Sequence, residues 1–289
     1  MDRGFPSIES ESVIERAPER HLAPWRAPEE CDLSRERHAV RDRTRAWQLS
    51  DAECALLYDV GRFRTVAVRD LLEHRYRGNL RAVRDDLRSL TAQGLILRRS
   101  ARTRIGGEKL DVLVLTKPAK NLLERVLLVR DGQSGQAVYA GFVKPSEVAH
   151  DAAIYRMFHA ESARLRSAGA RVNRVVLDYE LKRKVYGPLA KARRVSPAEL
   201  ARRQTAVARE TGLSIVRGRF VLPDLRIEYE TRDGSHARVD LELATEHYHG
   251  SHLAQKAEAG FTFYVADGSG ERLSRLMEER EIIATILSL

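Results

Sequence analysis

The segment LPDLRIEYETRDGSHARVDLEL, residues 222–243, decides how the second half of this chain is read. Alternating residues on either side of Asp233-Gly234 give two strands, Leu225 to Glu230 and His236 to Leu243. Asp224 stands at the head of the first, and Asp240 and Glu242 lie near the end of the second. Asp240 and Glu242 share a face, because strand side chains alternate with a period of two. The place of Asp224 depends on the turn. A two-residue turn at Asp233-Gly234 sets it opposite Leu243, with Glu242 on the other face. A loop one residue longer or shorter, or a bulge beside Pro223, brings Asp224 and Glu242 to one face. Lys256, the only lysine after Lys191, follows on a helix expected from about His249 to Gly260.

Two carboxylates and a lysine are a chemistry suited to phosphodiesters. Mg2+ takes oxygen ligands, commonly one or two carboxylates with water and substrate phosphate. The ion lowers the pKa of a bound water, and a lysine stabilises charge developing on the phosphate. Asp224, Glu242 and Lys256 are therefore the candidate catalytic residues, with Asp224 and Glu242 as the metal ligands. A rival cluster is His247, His249 and His252, the last two at the i, i+3 spacing of a helical metal pair. It lacks an HExxH-type arrangement, and capping or DNA contact suits it better. Glu246 is a further carboxylate near the acidic pair.

The first half carries a different signature. Ser50 and Glu53 form a capping box for a helix with Ala55, Leu56 and Val60 inward, ended by Gly61. A short helix from about Val66 to Tyr76 follows, and Asn79 caps a third from Leu80 to about Gln93, closed by Gly94. At 100° per residue Leu80, Val83, Leu87 and Leu90 form one stripe of that third helix, with Arg81, Arg84 and Arg88 roughly opposite. Leu95 to Leu97 starts a strand, a basic loop from Arg98 to Gly107 holds Arg99, Arg102 and Arg104, and Leu110 to Leu115 returns. Three helices and a basic-tipped hairpin are the layout of a winged helix-turn-helix. Arg81, Arg84 and Arg88 would enter a groove of double-stranded DNA while Arg99, Arg102 and Arg104 clamp phosphates.

Bulk composition agrees with an anionic partner: 289 residues carry a net charge of +9. From Arg171 to Arg219 there are thirteen Lys/Arg against four Asp/Glu, a stretch expected to track phosphates, with a helix beginning at Ser196-Pro197-Ala198-Glu199. No apolar run approaches 18 residues and no signal-peptide pattern opens the chain, so no membrane association and a cytoplasmic setting are expected. Cys31 and Cys54 alone supply neither a disulfide framework nor a cysteine-ligated zinc site. Residues 1–45, broken by Pro6, Pro18, Pro24 and Pro28, read as a flexible arm. Asn121 to Arg130 reads as a dimer helix or buried connector. A long helix starts near Ser146-Glu147 and ends at Gly169, and Val172 to Leu177 is a strand.

Several residues together carry a resemblance. They are His150-Asp151 opening the long helix, Asp178 to Arg183, Leu222-Pro223-Asp224, Asp240-Leu241-Glu242, and Lys256 ahead of Gly260-Phe261 and Tyr264. Over roughly residues 45 to 270 the layout resembles the replication-relaxation-type proteins of bacterial plasmids and integrative elements. Those join a winged helix to a domain similar to the PD-(D/E)xK, restriction-endonuclease-like fold. The resemblance implies an α+β chain: an arm at 1–45, an N-terminal winged helix-turn-helix at 46–130, and an α/β restriction-endonuclease-like domain at 131–289. It implies DNA binding with Mg2+-dependent cleavage or nicking, and an upstream acid, for which Glu161 and Glu180 are candidates. The nuclease pattern expects lysine two residues after the second acid, where this chain has Ala244, and Lys256 on the neighbouring helix is the replacement. Two other readings stand beside it. One is a non-catalytic transcription or replication regulator whose C-terminal domain dimerises or clamps DNA; a homodimer on a palindromic site fits a winged helix. The other is a repressor with a small-molecule sensor in its second half.

Overall fold

In the computed structural model, which describes residues 33–41, 45–102, 109–127, 135–142, 144, 147–190, 196–244, 250–265, 270–279 and 282–289, strand β1 (His38–Arg41) pairs antiparallel with β2 (Ala46–Leu49). Residues 33–41 were expected in the flexible arm. They are instead tied down: Val40 is buried in the core, Arg35 meets Asp86 at 2.6 Å, and Arg37 holds Glu53 through two hydrogen bonds of 3.2 and 2.8 Å. Residues 1–32 lie outside the described residues.

Helix α1 (Asp51–Phe63) starts at the expected capping box, with the Glu53 N–H donating to Ser50 Oγ and the Ser50 N–H to Glu53 Oε2. Strand β3 (Val66–Ala67), α2 (Val68–His74) and α3 (Leu80–Ala92) follow. The Asn79 side chain caps α3, and Gly94, at φ 68°, lets the chain turn where a Cβ would be strained. Val83, Leu87 and Leu90 are buried as expected; Leu80, at the first helical position, is 44% exposed. Strands β4 (Ile96–Arg102) and β5 (Lys109–Leu115) form an antiparallel sheet of order β3-β5-β4. Because β4 runs on to Arg102, Arg98 and Arg99 sit within the ladder, opposite Leu113 and Val112, and not in a loop. Helix α4 (Lys117–Leu122) passes into a π-helical turn at Leu123–Leu127, and Leu122 and Leu123 are fully buried. Asn121, Glu124 and Arg125 of the same segment are exposed, and residues 128–130 lie outside the described residues.

The second half is built on α5 (Val148–Ser167), β6 (Arg171–Leu177), α6 (Asp178–Ala190) and α7 (Pro197–Thr211). Between Ser214 and Val221 the chain folds back at Arg217-Gly218, giving the small pair β7 (Ile215–Val216) and β8 (Arg219–Phe220). Then come β9 (Leu225–Glu230), β10 (His236–Ala244), α8 (Gly250–Glu258), β11 (Thr262–Val265), α9 (Gly270–Glu278) and β12 (Ile286–Ser288). The sheet order is β12-β11-β10-β9-β6: β6, β9 and β10 are antiparallel neighbours, and β10, β11 and β12 run parallel. Strand alternation divides the packing. Val175, Leu177, Leu225, Ile227, Leu241, Leu243 and Tyr264 face α5, whereas Val176 packs with α6 and α7, and Ala244, Phe263 and Val265 with α8 and α9.

One apolar core serves both halves. Tyr155 and Phe158 of α5 pack on Phe63 of α1, with ring centroids 5.1 and 4.9 Å apart, in the cluster that also holds Leu115, Leu122, Ile227 and Leu241. Burying each such side chain stabilises by about 1.5–3 kcal/mol. Beneath them lies a buried charge network. Asp59, fully buried, accepts from Arg62 at 2.9 Å, Arg75 at 2.5 Å and the Tyr155 hydroxyl at 3.1 Å. Burial pushes its carboxyl up, but Arg75 and Arg62 more than reverse this, and its pKa falls to about 2. No helix among the described residues is long and apolar enough to cross a membrane.

Candidate functional site

The β9–β10 turn decides the register that sequence left open. Five residues, 231–235, separate the strands, closed by the Thr231 N–H donating to the Ser235 carbonyl. Leu225 therefore pairs with Leu241, the register that in a continued ladder would set Asp224 opposite Glu242. Asp224 bends away from the ladder but stays attached: its N–H donates to Leu241 O at 3.1 Å, and its Oδ2 accepts from the Leu243 N–H at 3.0 Å. Glu242 is buried, with Lys256 Nζ of α8 bonded to its Oε1. The three predicted site residues are thus gathered at one end of the sheet.

Residues given no role from sequence complete this cluster. His150, at the start of α5, places Nε2 3.3 Å from Asp224 Oδ2 and Nδ1 3.6 Å from Asp151 Oδ1. Burial alone would lower the pKa of its ring, but the hydrogen bonds and charges of Asp151 and Asp224 raise it to about 10, so the ring is a cation at neutral pH. Burial pushes the Asp224 carboxyl up as well; His150, Lys256 and the Leu243 N–H outweigh it and hold the group below its usual range. Asp178, whose N–H donates to Asp224 O at 3.4 Å, is pushed up by burial, only partly relieved by its ion pair with Lys182. The signal for His150-Asp151 was their position opening a helix, but only the fold brings that helix end to the head of β9.

Other expected acids are committed elsewhere. Asp240 shares the face of Glu242 but is held by the buried Arg226 at 2.6 and 2.8 Å, and Arg226 also donates to the Thr211 and Gly212 carbonyls that end α7. Gly212 ends α7 in the left-handed conformation at φ 60°, where a residue with a Cβ is strained. Glu161 accepts from Arg164 and from the Tyr264 hydroxyl at 2.7 Å, and Glu180 is paired with Arg174 and Lys184. Neither is brought to Asp224. His247, His249 and Glu246 lie outside the described residues. Among the described residues no three His, Cys, Asp or Glu side chains are grouped to hold a metal ion.

The basic face of α3 has a simpler construction. The side chains of Arg81 and Arg88 are 95% and 78% exposed, flanking Asp85 at 4.0 and 3.3 Å, and Arg84 is exposed beside them. Arg99 lies over the Phe142 ring, 4.0 Å from its centroid. The side chain of Arg102 and the whole of Arg104 fall outside the described residues. In the basic stretch of α6 and α7, Lys182, Lys184, Arg202 and Arg203 pair with acids of their own helices, and Lys191, Arg193 and Arg194 are outside the described residues. The three acids involved, Asp178, Glu180 and Glu199, offset only part of the positive charge of that stretch.

No family model matches the sequence, and no curated protein matches it either.

Proposed function

We propose that this chain is a DNA-binding protein of the winged helix-turn-helix type whose second half is a restriction-endonuclease-like domain that cleaves or nicks DNA with Mg2+. The observation that carries the reading is the order of elements around the carboxylates. Helix α5 leads into β6; after α6, α7 and the small β7–β8 pair, β9 and β10 complete three antiparallel strands, with Pro223-Asp224 at the head of the middle one and Glu242 near the end of the third. Helix α8 then delivers Lys256 to Glu242, and β11 returns parallel to β10. Asp224 and Glu242 fit Mg2+ as a two-carboxylate oxygen donor set, with water and a phosphate completing the shell. The ion, when bound, acidifies a water and offsets phosphate charge. Asp224 and Glu242 would hold it, and Lys256 would stabilise charge developing on the phosphate.

In this reading the first half reads duplex DNA through Arg81, Arg84 and Arg88, and the exposed basic edge clamps its backbone. The test is supercoiled plasmid incubated with the protein and Mg2+ or Mn2+, beside Asp224→Ala and EDTA controls. Nicking or linearisation that vanishes in both controls is the expected outcome; intact plasmid with a salt-sensitive gel shift overturns the catalytic part.

A second reading, the non-catalytic regulator, is favoured by one specific feature. Both carboxylates already carry internal cations, His150 on Asp224 and Lys256 on Glu242, and Ala244 occupies the position where the nuclease pattern has lysine. Under it, DNA binding survives Asp224→Ala and no condition yields cleavage.

A further inference from the structure

Arg64 joins the two halves through charge, as Arg156 of α5 also does with Asp70 of α2 at 3.9 Å. Arg64 follows the last turn of α1 with φ 66° and ψ −49°, and the Thr65 N–H donates across it to the Phe63 carbonyl at 2.7 Å. That is a three-residue γ-turn of the positive-φ kind, a conformation that is rare and strained for a residue with a Cβ. Glycine would adopt it at lower cost. The side chain is therefore the reason to look for a role, and it has a defined place. Its guanidinium lies over the Tyr179 ring, 3.8 Å from the centroid, and its Nη1 is 3.7 Å from Asp151 Oδ2. Asp151 is buried, its Oδ2 has no hydrogen-bond partner, and its Oδ1 faces His150. From His150 the next contact is Asp224, and from Asp224 the Leu243 N–H.

We propose that Arg64 is a positioning residue: it fixes Asp151, through which the His150 ring is held against Asp224, so the end of a helix in the DNA-binding half sets the orientation of the carboxylate in the nuclease-like half. This rests on the role given to Asp224 above. The contacts run in series, Arg64 to Asp151 at 3.7 Å, Asp151 to His150 at 3.6 Å and His150 to Asp224 at 3.3 Å, so each member is placed by the one before it, in a site where burial strengthens such interactions. Helix α1 is joined by β3 and α2 to α3, so a duplex seated on α3 acts on the same rigid module that holds Arg64. The Tyr179 ring, whose hydroxyl donates to Glu147 just before α5, limits the guanidinium to one approach.

The test is amide hydrogen exchange in the full chain, read at Leu243 and, as control, at Val239 of the same strand. Arg64→Gly relieves backbone strain while deleting the guanidinium, so it is expected to fold. It should speed exchange at Leu243 at least about fivefold and leave Val239 unchanged. Asp151→Asn should do the same, the double variant should add nothing further, and Arg64→Lys should recover part of the protection. Leu243 unchanged in Arg64→Gly overturns the proposal, and so does equal acceleration at Val239, which would make Arg64 a general structural residue. Plasmid nicking by the same variants is scored separately. Its absence in the wild-type chain would count against the nuclease reading and leave the exchange result standing.

Discussion

The arginines of α3 and the carboxylates around α5 are both dense clusters of charge, yet they are built on opposite principles. Arg81, Arg84 and Arg88 project into solvent, and the acid that Arg81 and Arg88 flank, Asp85, is itself half exposed. Asp59, Asp224 and Glu242 are drawn into the protein and each is met by cations from other elements. Exposed ion pairs contribute about 0–1 kcal/mol, because water screens them and long side chains lose freedom. Removing one partner of a buried pair costs about 3–5 kcal/mol, because the other is left charged and dry. Surface charge is thus free for an external partner, while interior charge fixes the shape of the molecule.

The sharpest break of this contrast would come at Asp59. Asp59→Ala should lower the unfolding free energy by about 3–5 kcal/mol, since Arg62 and Arg75 lose their common partner; a loss below about 1 kcal/mol by urea denaturation would place Asp59 with the surface acids. A pH effect comes next. His159 is stacked on His74 at 4.5 Å, and chiefly through burial its pKa is lowered to about 3. A histidine kept neutral in the fold but protonated when unfolded contributes stability above its unfolded pKa of about 6.5, and that stability is lost as pH falls toward 3. Between pH 7 and 5 the contribution of His159 to the unfolding free energy should drop by about 2 kcal/mol, against a smaller opposite change from His150, and His159→Phe should remove the His159 part of the slope.

Binding is the third probe. Arg84→Ala and Arg88→Ala should each cost about 1–3 kcal/mol of discrimination between DNA sites if they meet base edges; an equal loss on all sequences with a shallower salt dependence would reassign them to phosphates. The smallest effect is expected for Arg81→Ala on stability, within about 0.5 kcal/mol by thermal denaturation. A larger loss would mean that α3 uses its outer charge internally after all.

Local signals were legible in the sequence. The Ser50 and Ser196 caps, the Asn79 start of α3, and the extents of β9 and α5 follow from rules that act over a few residues. The site was legible in its members but not in its register. One residue in the turn decides whether Asp224 faces Glu242, and Asp233-Gly234 fits a turn of either length. Asp240 illustrates a different gap: it alternates with Glu242 on the same face, yet Arg226, fourteen residues back, takes it for the end of α7. The strand through Arg98 and Arg99 was hidden by arginine, which suits a ladder when its side chain points to solvent. His150 and Arg64 lay beyond any local rule, because their contacts join segments far apart in the chain.

The continuous core through α5 has a consequence for how such a molecule can change over generations. Phe63, Leu115 and Leu122 on one side and Ile227 and Leu241 on the other are sealed by the same helix, so neither half carries a complete interior of its own. Recombination that exchanged the first half for a different module would have to import a matching surface for Tyr155 and Phe158. Change is therefore reached more readily by point substitutions on the outer side of α3 than by shuffling whole segments. The helix that helps to shape the carboxylate cluster also keeps the two halves inherited together.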